Sequence, residues 1–414
     1  MIPQLQQEAP SATAVAKHWS LPTRIGFRFV FSYFLLYITP GPVGALSPYK
    51  PTSALDNNFA NWIWHQIAPW VGASLLRLNP ADLKEIANGS GDQLYDYVLI
   101  LCLVITAALA TVIWSLLDRK RTNYDVMYRW LRLLMRMTVA WGMLGYGIKK
   151  LIGAQFTPPT IGRQLQPFGQ ATPMGMLWTF MGASQPYSFF GGLGETAGGL
   201  LLILPGLTTL GALLSLIMMT NVLMLNLFYD VPRKIFSIHL VLMCLFLLIP
   251  DFRRLLNVLV LNRHADPVRE EPLFRSRELN WGAVLLPIVF GGYVLYAAGT
   301  QSYRDLQQEI ATAPAPLYGV WKVDELVIDG VAHPPLATDP AMWQTVILDA
   351  PKVFTIRAMD GKLARYYMQL GSNNQSAKLW DVHDPNWQAS LSIQNPQPDH
   401  MLLEGPFGGR QISA

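Results

Sequence analysis

Between Tyr97 and Leu117 the chain carries no charged side chain. A helix needs about 20 such residues to cross a hydrocarbon layer of ~30 Å. In hydrocarbon only helices and closed barrels satisfy their own backbone groups. This run, read as a span from Tyr95 to Leu117, therefore limits the fold more than any other stretch. Six further apolar segments share its character: Pro22 to Thr39, Tyr128 to Ile148, Tyr187 to Leu204, Leu207 to Phe228, Val231 to Ile249 and Trp281 to Ala298. The composition agrees, with 51% hydrophobic and 14% charged residues, where a soluble domain has about 25% charged. The expected class is a multi-pass α-helical membrane protein with about seven transmembrane helices, whose first partner is the lipid bilayer.

Charge placement gives an orientation. Asp118-Arg119-Lys120-Arg121 stops the second span, and the loop between Pro250 and Trp281 holds six arginines: Arg253, Arg254, Arg263, Arg269, Arg275 and Arg277. Seven spans with a cytoplasmic N-terminus put both basic loops inside, as the positive-inside rule requires, and the C-terminus outside. With 31 basic against 27 acidic residues, nothing suggests nucleic acid. Cys102 and Cys244 lie in apolar runs without CxxC or Cys/His spacing, so buried thiols are expected and no metal site. Residues 1–21 read as a cytoplasmic tail. Val43-Gly44-Ala45 would suit a cleaved signal, but Arg28, Pro40 and Pro42 favour a retained first helix. The Trp-bearing stretch from Asn58 to Leu78 reads either as an interfacial helix or as a lid on the bundle.

After Ala298 the pattern changes. A polar linker, 301–315, ends in prolines. Short alternating runs then begin at Val320, Val346, Val353, Ala364, Leu391 and Met401, separated by turn signals such as Asp329-Gly330 and Asp360-Gly361. They predict an all-β domain over 316–414. The remaining divisions are 22–124 (two helices and an outer loop), 125–260 (a four-helix core) and 261–300 (the Arg-rich loop and the last span).

Two groups of residues look familiar. Gly145-Tyr146-Gly147-Ile148-Lys149-Lys150 closes one helix, and Gly192-Leu193-Gly194-Glu195-Thr196-Ala197-Gly198-Gly199 lies in the next. Gly206-Leu207-Thr208-Thr209 then makes the following turn. This order resembles the DoxX family of four-helix bacterial membrane proteins over about Asp125 to Val260. The resemblance implies a bacterial inner-membrane bundle that acts as a subunit or accessory of a quinone- or thiol-linked redox system; no cofactor is evident in the residues themselves, and the resemblance leaves room for a quinone and for a redox partner subunit. Separately, Gly319-Val320-Trp321 is similar to the opening motif of lipocalins, which implies a lipocalin-like β-domain.

Ionisable groups inside hydrocarbon are costly and mark sites. Glu195 lies about 12 Å deep at 1.5 Å per residue, on a face made of small residues. Arg136 lies at a similar depth measured from the other surface, so a Glu195–Arg136 pair fits. It reads either as a register-fixing ion pair or as a carboxylate that binds or passes protons near a quinone-like ligand. An outer cluster collects Lys149, Lys150, Asn226, Tyr229, Asp230 and Lys234, with Asp230 placed to pair with Lys149 or to cap the next helix. His239 lies just below it, either donating to a carbonyl or relaying protons. Having no intramembrane His partner, it does not suggest haem. No motif commits the chain to a reaction. A second function, of another class, is a non-enzymatic envelope protein that binds a lipid or a protein through its β-domain.

Overall fold

The computed structural model describes residues 18–39, 59–84, 91–266, 272–274, 276–311, 317–336, 338–339, 341–350, 352–381, 384, 387–397 and 399–414. Residues 1–17 of the tail, Pro40, Pro42, Val43-Gly44-Ala45, Arg269, Arg275 and the linker prolines lie outside these residues. Eleven α-helices are followed by ten strands among them. The chain divides into two compact units, Met1–Met143 with Ala197–Leu223 and Pro232–Val294, and Leu144–Thr196 with Met224–Val231 and Leu295–Ala414.

The first unit begins with α1, Leu21–Ile38, whose first turn is capped by the Ser20 hydroxyl on Thr23 N. α1 packs on α3, Leu94–Leu117, which opens with a Gln93/Asp96 capping box. Arg28 is buried. It donates to Tyr124 Oη (2.9 Å), Ser115 Oγ (2.8 Å) and the Asp118 carbonyl (2.8 Å). α2, Phe59–Ser74, continues through Pro69, buries Trp64 and Ala68, and leaves Trp62 and Trp70 outward. The first part of α4, Asp125–Ile152, carries Leu131, Met135 and Val139 into the core.

Among the described residues, four helical stretches are long and apolar enough to cross a membrane: α3, α8 (Thr208–Phe228), the continuous Lys234–Leu259 stretch of α9 (Lys234–Leu248) and α10 (Phe252–Leu259), and Arg277–Gln308 within α11 (Arg277–Ala311). α1, α4 and α7 (Gln185–Ile203) form where expected. They fall short of that measure because arginines, lysines, glycines and Glu195 dilute their apolar residues. α11 does not stop at the last apolar residue but continues as helix through Gln301 to Ala311.

In the second unit, two short helices follow α4: α5, Ile161–Gln164, and α6, Pro173–Ala183, capped by Thr160 and Thr172. Phe156, Leu177, Met181 and Val231 form a small apolar core there. The β-domain is one antiparallel sheet in the order β1-β4-β5-β6-β7-β8-β9-β10-β2-β3, curled as a half-barrel. β1 (Gly319–Lys322) pairs with β4 (Trp343–Ala350), and β2 (Leu326–Ile328) pairs with β10 (Arg410–Ser413). One stretch broken at 323–325 thus bonds to both sides of the ribbon. The expected runs are strands, and β2, β3 (Val331–His333), β7 (Ser376–Asp381) and β10 are additional. The inside is filled: Leu326, Val346, Phe354, Met368, Leu379 and Leu403 are each at most 2% exposed. Trp343, Tyr366, Trp387 and Phe407 stack and abut, with centroids 4.6 to 5.3 Å apart for the Tyr366–Trp387, Trp343–Phe407, Trp387–Phe407 and Tyr366–Phe407 pairs.

The segment between α4 and α7 docks on this sheet. Gly162 N donates to Asp349 Oδ2 (2.5 Å), Leu363 N to Gln170 Oε1 (3.1 Å) and Arg365 Nη2 to Gln166 Oε1 (3.3 Å). Burial lowers the pKa of Arg365; nearby Arg163 pushes it the same way and Asp349 opposes.

Candidate functional site

Lys150 lies two residues before the end of α4, and Glu195 ten residues into α7. Lys150 Nζ donates to both carboxylate oxygens of Glu195, at 2.8 Å to Oε1 and 2.7 Å to Oε2. The two side chains are only 8% and 3% exposed. Glycines bring the helices close enough for this. A Cβ on Gly147 would lie 2.7 Å from Thr196 N, and one on Gly192 would lie 2.8 Å from the Gly147 carbonyl oxygen. Such distances exclude side chains, so each helix presents its backbone to the other. Tyr146 and Phe156 place ring centroids 5.9 and 6.0 Å from Nζ, within cation–π range. Beside Glu195, the Thr196 hydroxyl is buried with no hydrogen-bond partner among the described residues.

Desolvating two charges costs several kcal/mol per ion, and their attraction repays it only in good geometry. Here the geometry is good, but an apolar pair of similar volume could serve packing as well. Retention of a charged pair in this place therefore points to a role in register or in chemistry.

The expected Glu195–Arg136 pair does not form. Arg136 donates to the carbonyls of Leu202, Ile203 (2.9 Å) and Leu204 (3.2 Å) at the C-terminal end of α7. α4 and α7 do not end at one level. Ten residues of α7 against two of α4 make a difference of ~12 Å at 1.5 Å per residue, so Glu195 meets Lys150 and not a residue four turns earlier. Lys150 accordingly leaves the outer cluster. Arg132, on the Arg136 face, donates to the Leu247 carbonyl (3.2 Å) near the end of α9, and Arg129 to Pro272 O.

Lys149 is half-buried, and its carbonyl accepts from Ala154 N (2.9 Å) as the helix closes. Asn226 is buried in the last turn of α8, where its carbonyl accepts from Val231 N (3.0 Å). Tyr229 is exposed, and Asp230 turns the chain in a left-handed conformation at φ 51°. Asp230 is not the cap of α9. That role falls to Asp92, whose carboxylate accepts from Lys234 N and Ile235 N (3.0 Å). The cap comes from a residue more than 140 positions away, and local sequence carries no sign of it. Asn226, Tyr229 and Asp230 share a compact unit with the ion pair; Lys234, His239 and Arg136 belong to the other.

His239 is buried on α9. Nδ1 lies 2.6 Å from the Ile235 carbonyl, which only accepts, so Nδ1 carries a proton. In the neutral ring Nε2 is then the acceptor, and Tyr33 Oη donates to it at 2.6 Å. Tyr37 stacks on the imidazole with centroids 3.8 Å apart. Carbonyl donation is the first of the two roles expected for His239; Tyr33 and Tyr37, on α1, were missed. At the Gly206-Leu207-Thr208-Thr209 turn the structure adds another partner. Thr209 donates to buried Asp251 (2.5 Å), which also pairs with Arg254 (3.1 Å). Among the described residues no cluster of His, Cys, Asp and Glu could hold a metal ion.

No family model matches the chain, and no solved structure matches it. A similar curated protein is the uncharacterized protein YwoB of Bacillus subtilis (strain 168), 30% identical over 125 residues. The match covers 30% of this chain and 78% of that protein. The chain belongs to the family of YwoB, whose name carries no activity.

Proposed function

We propose that this member of the YwoB family is a DoxX-like integral protein of the bacterial inner membrane, acting as a subunit or accessory of a quinone- or thiol-linked redox system. Seven helices span the bilayer, the N-terminus is cytoplasmic and the β-domain extracytoplasmic. The observation that carries this reading is the buried Lys150–Glu195 pair between two glycine-bearing helix faces. Its place matches the Gly-x-x-Lys and Gly-flanked Glu that carry the resemblance. A quinone headgroup needs donors for its oxygens and flat apolar surfaces for its ring. Lys150, the unused Thr196 hydroxyl, Tyr146 and Phe156 supply both.

The exposed surface of α3 supports membrane embedding. Ile105, Leu109, Val112, Ile113, Leu116 and Leu117 are all 47–82% exposed, an apolar patch that water would not tolerate. The filled interior of the β-domain speaks against a lipid carried inside it. It leaves recognition of a protein partner as the form of the non-enzymatic alternative that fits best.

The test is lipid and quinone extraction of protein purified from membranes, with mass spectrometry, for wild type and Glu195→Gln. Quinone held by wild type and reduced at least tenfold in the variant, with membrane insertion unchanged, is the expected outcome. Wild type that carries no quinone and brings no redox subunit with it overturns the reading.

A further inference from the structure

We infer that the groove between the start of α4 and the start of α11 binds the headgroup of an anionic phospholipid, a site separate from the Lys150–Glu195 pair. The inference rests on the membrane reading above. The groove has a volume of about 930 Å³. Val126 and Arg129 form one wall. Arg277, Asn280, Trp281 and Val284 form the other, at the spacing that puts residues on one helix face. Pro272 to Phe274 make the floor.

The floor is built rather than loose. Asn280 accepts from Phe274 N (2.8 Å) and donates to the carbonyls of Phe274 (2.7 Å) and Ser276 (2.8 Å). Trp130 packs edge-on against Phe274 at 5.6 Å. Arg129 is anchored to Pro272 O and, at 3.4 Å, to Asp125 O. Arg277 is exposed, and no hydrogen bond or ion pair holds it among the described residues. Two acidic neighbours among the described residues have other partners: Asp125 accepts from Trp19 Nε1 (3.1 Å) and Glu278 from Ser276 Oγ (2.5 Å).

Two guanidinium groups at one groove suit a phosphate, which they can bind through paired N–H donors. Trp130 and Trp281, 43% and 58% exposed, are placed as headgroup-level aromatics. Beyond them the wall becomes apolar at Val284 and Ile288, where an acyl chain would run. That apolar continuation selects a lipid over free phosphate. The positive-inside orientation puts the groove at the inner leaflet, where basic pockets between helices bind anionic headgroups.

The test is native mass spectrometry of the full chain in mild detergent with added phosphatidylglycerol, phosphatidylethanolamine or inorganic phosphate. One phosphatidylglycerol should remain bound. Arg277→Gln should weaken its retention about tenfold, and Arg129→Gln with Arg277→Gln should abolish it. Because Arg129 also holds the floor, Arg277→Gln is the decisive variant. Equal retention in Arg277→Gln, equal retention of phosphatidylethanolamine, or displacement by inorganic phosphate overturns the proposal. Alkaline carbonate extraction of the same membranes tests the membrane reading separately. Protein that stays in the pellet while the lipid result fails removes only this site.

Discussion

Helix α4 carries its cations in two ways. Near its C-terminus Lys150 meets a carboxylate, and the result is a neutral ion pair with both side chains at most 8% exposed. Nearer its N-terminus Arg132 and Arg136 donate to carbonyl oxygens at the ends of α9 and α7. The arginines complement the negative ends of helix dipoles and the last unsatisfied carbonyls, a fixed structural use of charge. The lysine holds a group that could be exchanged, protonated or offered to a ligand. Like-charged side chains on one helix thus differ by what faces them: backbone dipoles make a joint, and a carboxylate makes a candidate site.

The largest effect should come from leaving one charge alone. Lys150→Met strands a buried carboxylate and should cost about 3–5 kcal/mol in thermal or denaturant unfolding in detergent. Stability within 1 kcal/mol of wild type would mean that the pair is solvated or unformed. Next is Gly147→Val, which forces Cβ and γ-methyls against Thr196 and should cost roughly 1–3 kcal/mol by overpacking. If unfolding is unchanged, the close approach of α4 and α7 is wrong. Smaller still is Arg136→Met, expected to cost about 1–2 kcal/mol through the lost carbonyl bonds and dipole term. Arg136→Lys should recover part of that. An effect as large as that of Lys150→Met would dissolve the contrast between joint and site.

The smallest effect lies in the β-domain. His333 Nδ1, 2.7 Å from Asp339 Oδ2, holds that carboxyl below its ordinary 3.8. A depressed carboxyl stabilises the fold above its unfolded value, and that contribution fades as the pH falls toward the folded one. Asp339→Asn should therefore leave stability little changed at pH 3 and slightly lower at pH 6, measured by tryptophan fluorescence unfolding. A difference that grows on acidification would contradict the assignment.

Helix positions were legible because long apolar runs leave few alternatives; α3, α7 and α8 begin and end within two residues of the sequence reading. The β-domain's longer strands were legible from alternation and turns. β2 and β3, three residues each, are too short for a period to register. Glu195 was legible as a buried site because glycines surround it. Its partner was not, since the choice between Lys150 and Arg136 depends on how far α7 extends past the end of α4. Asp92 on α9 and Tyr33 on His239 were invisible for a different reason: each contact joins elements far apart in sequence.

The most direct test of the central claim is a double-mutant cycle on Lys150→Met and Glu195→Met, read by unfolding in detergent. The geometry predicts a coupling of about 2–3 kcal/mol, so that the double variant loses clearly less than the sum of the two single ones. Additive losses, with coupling near zero, would show that Lys150 and Glu195 do not act as one buried unit.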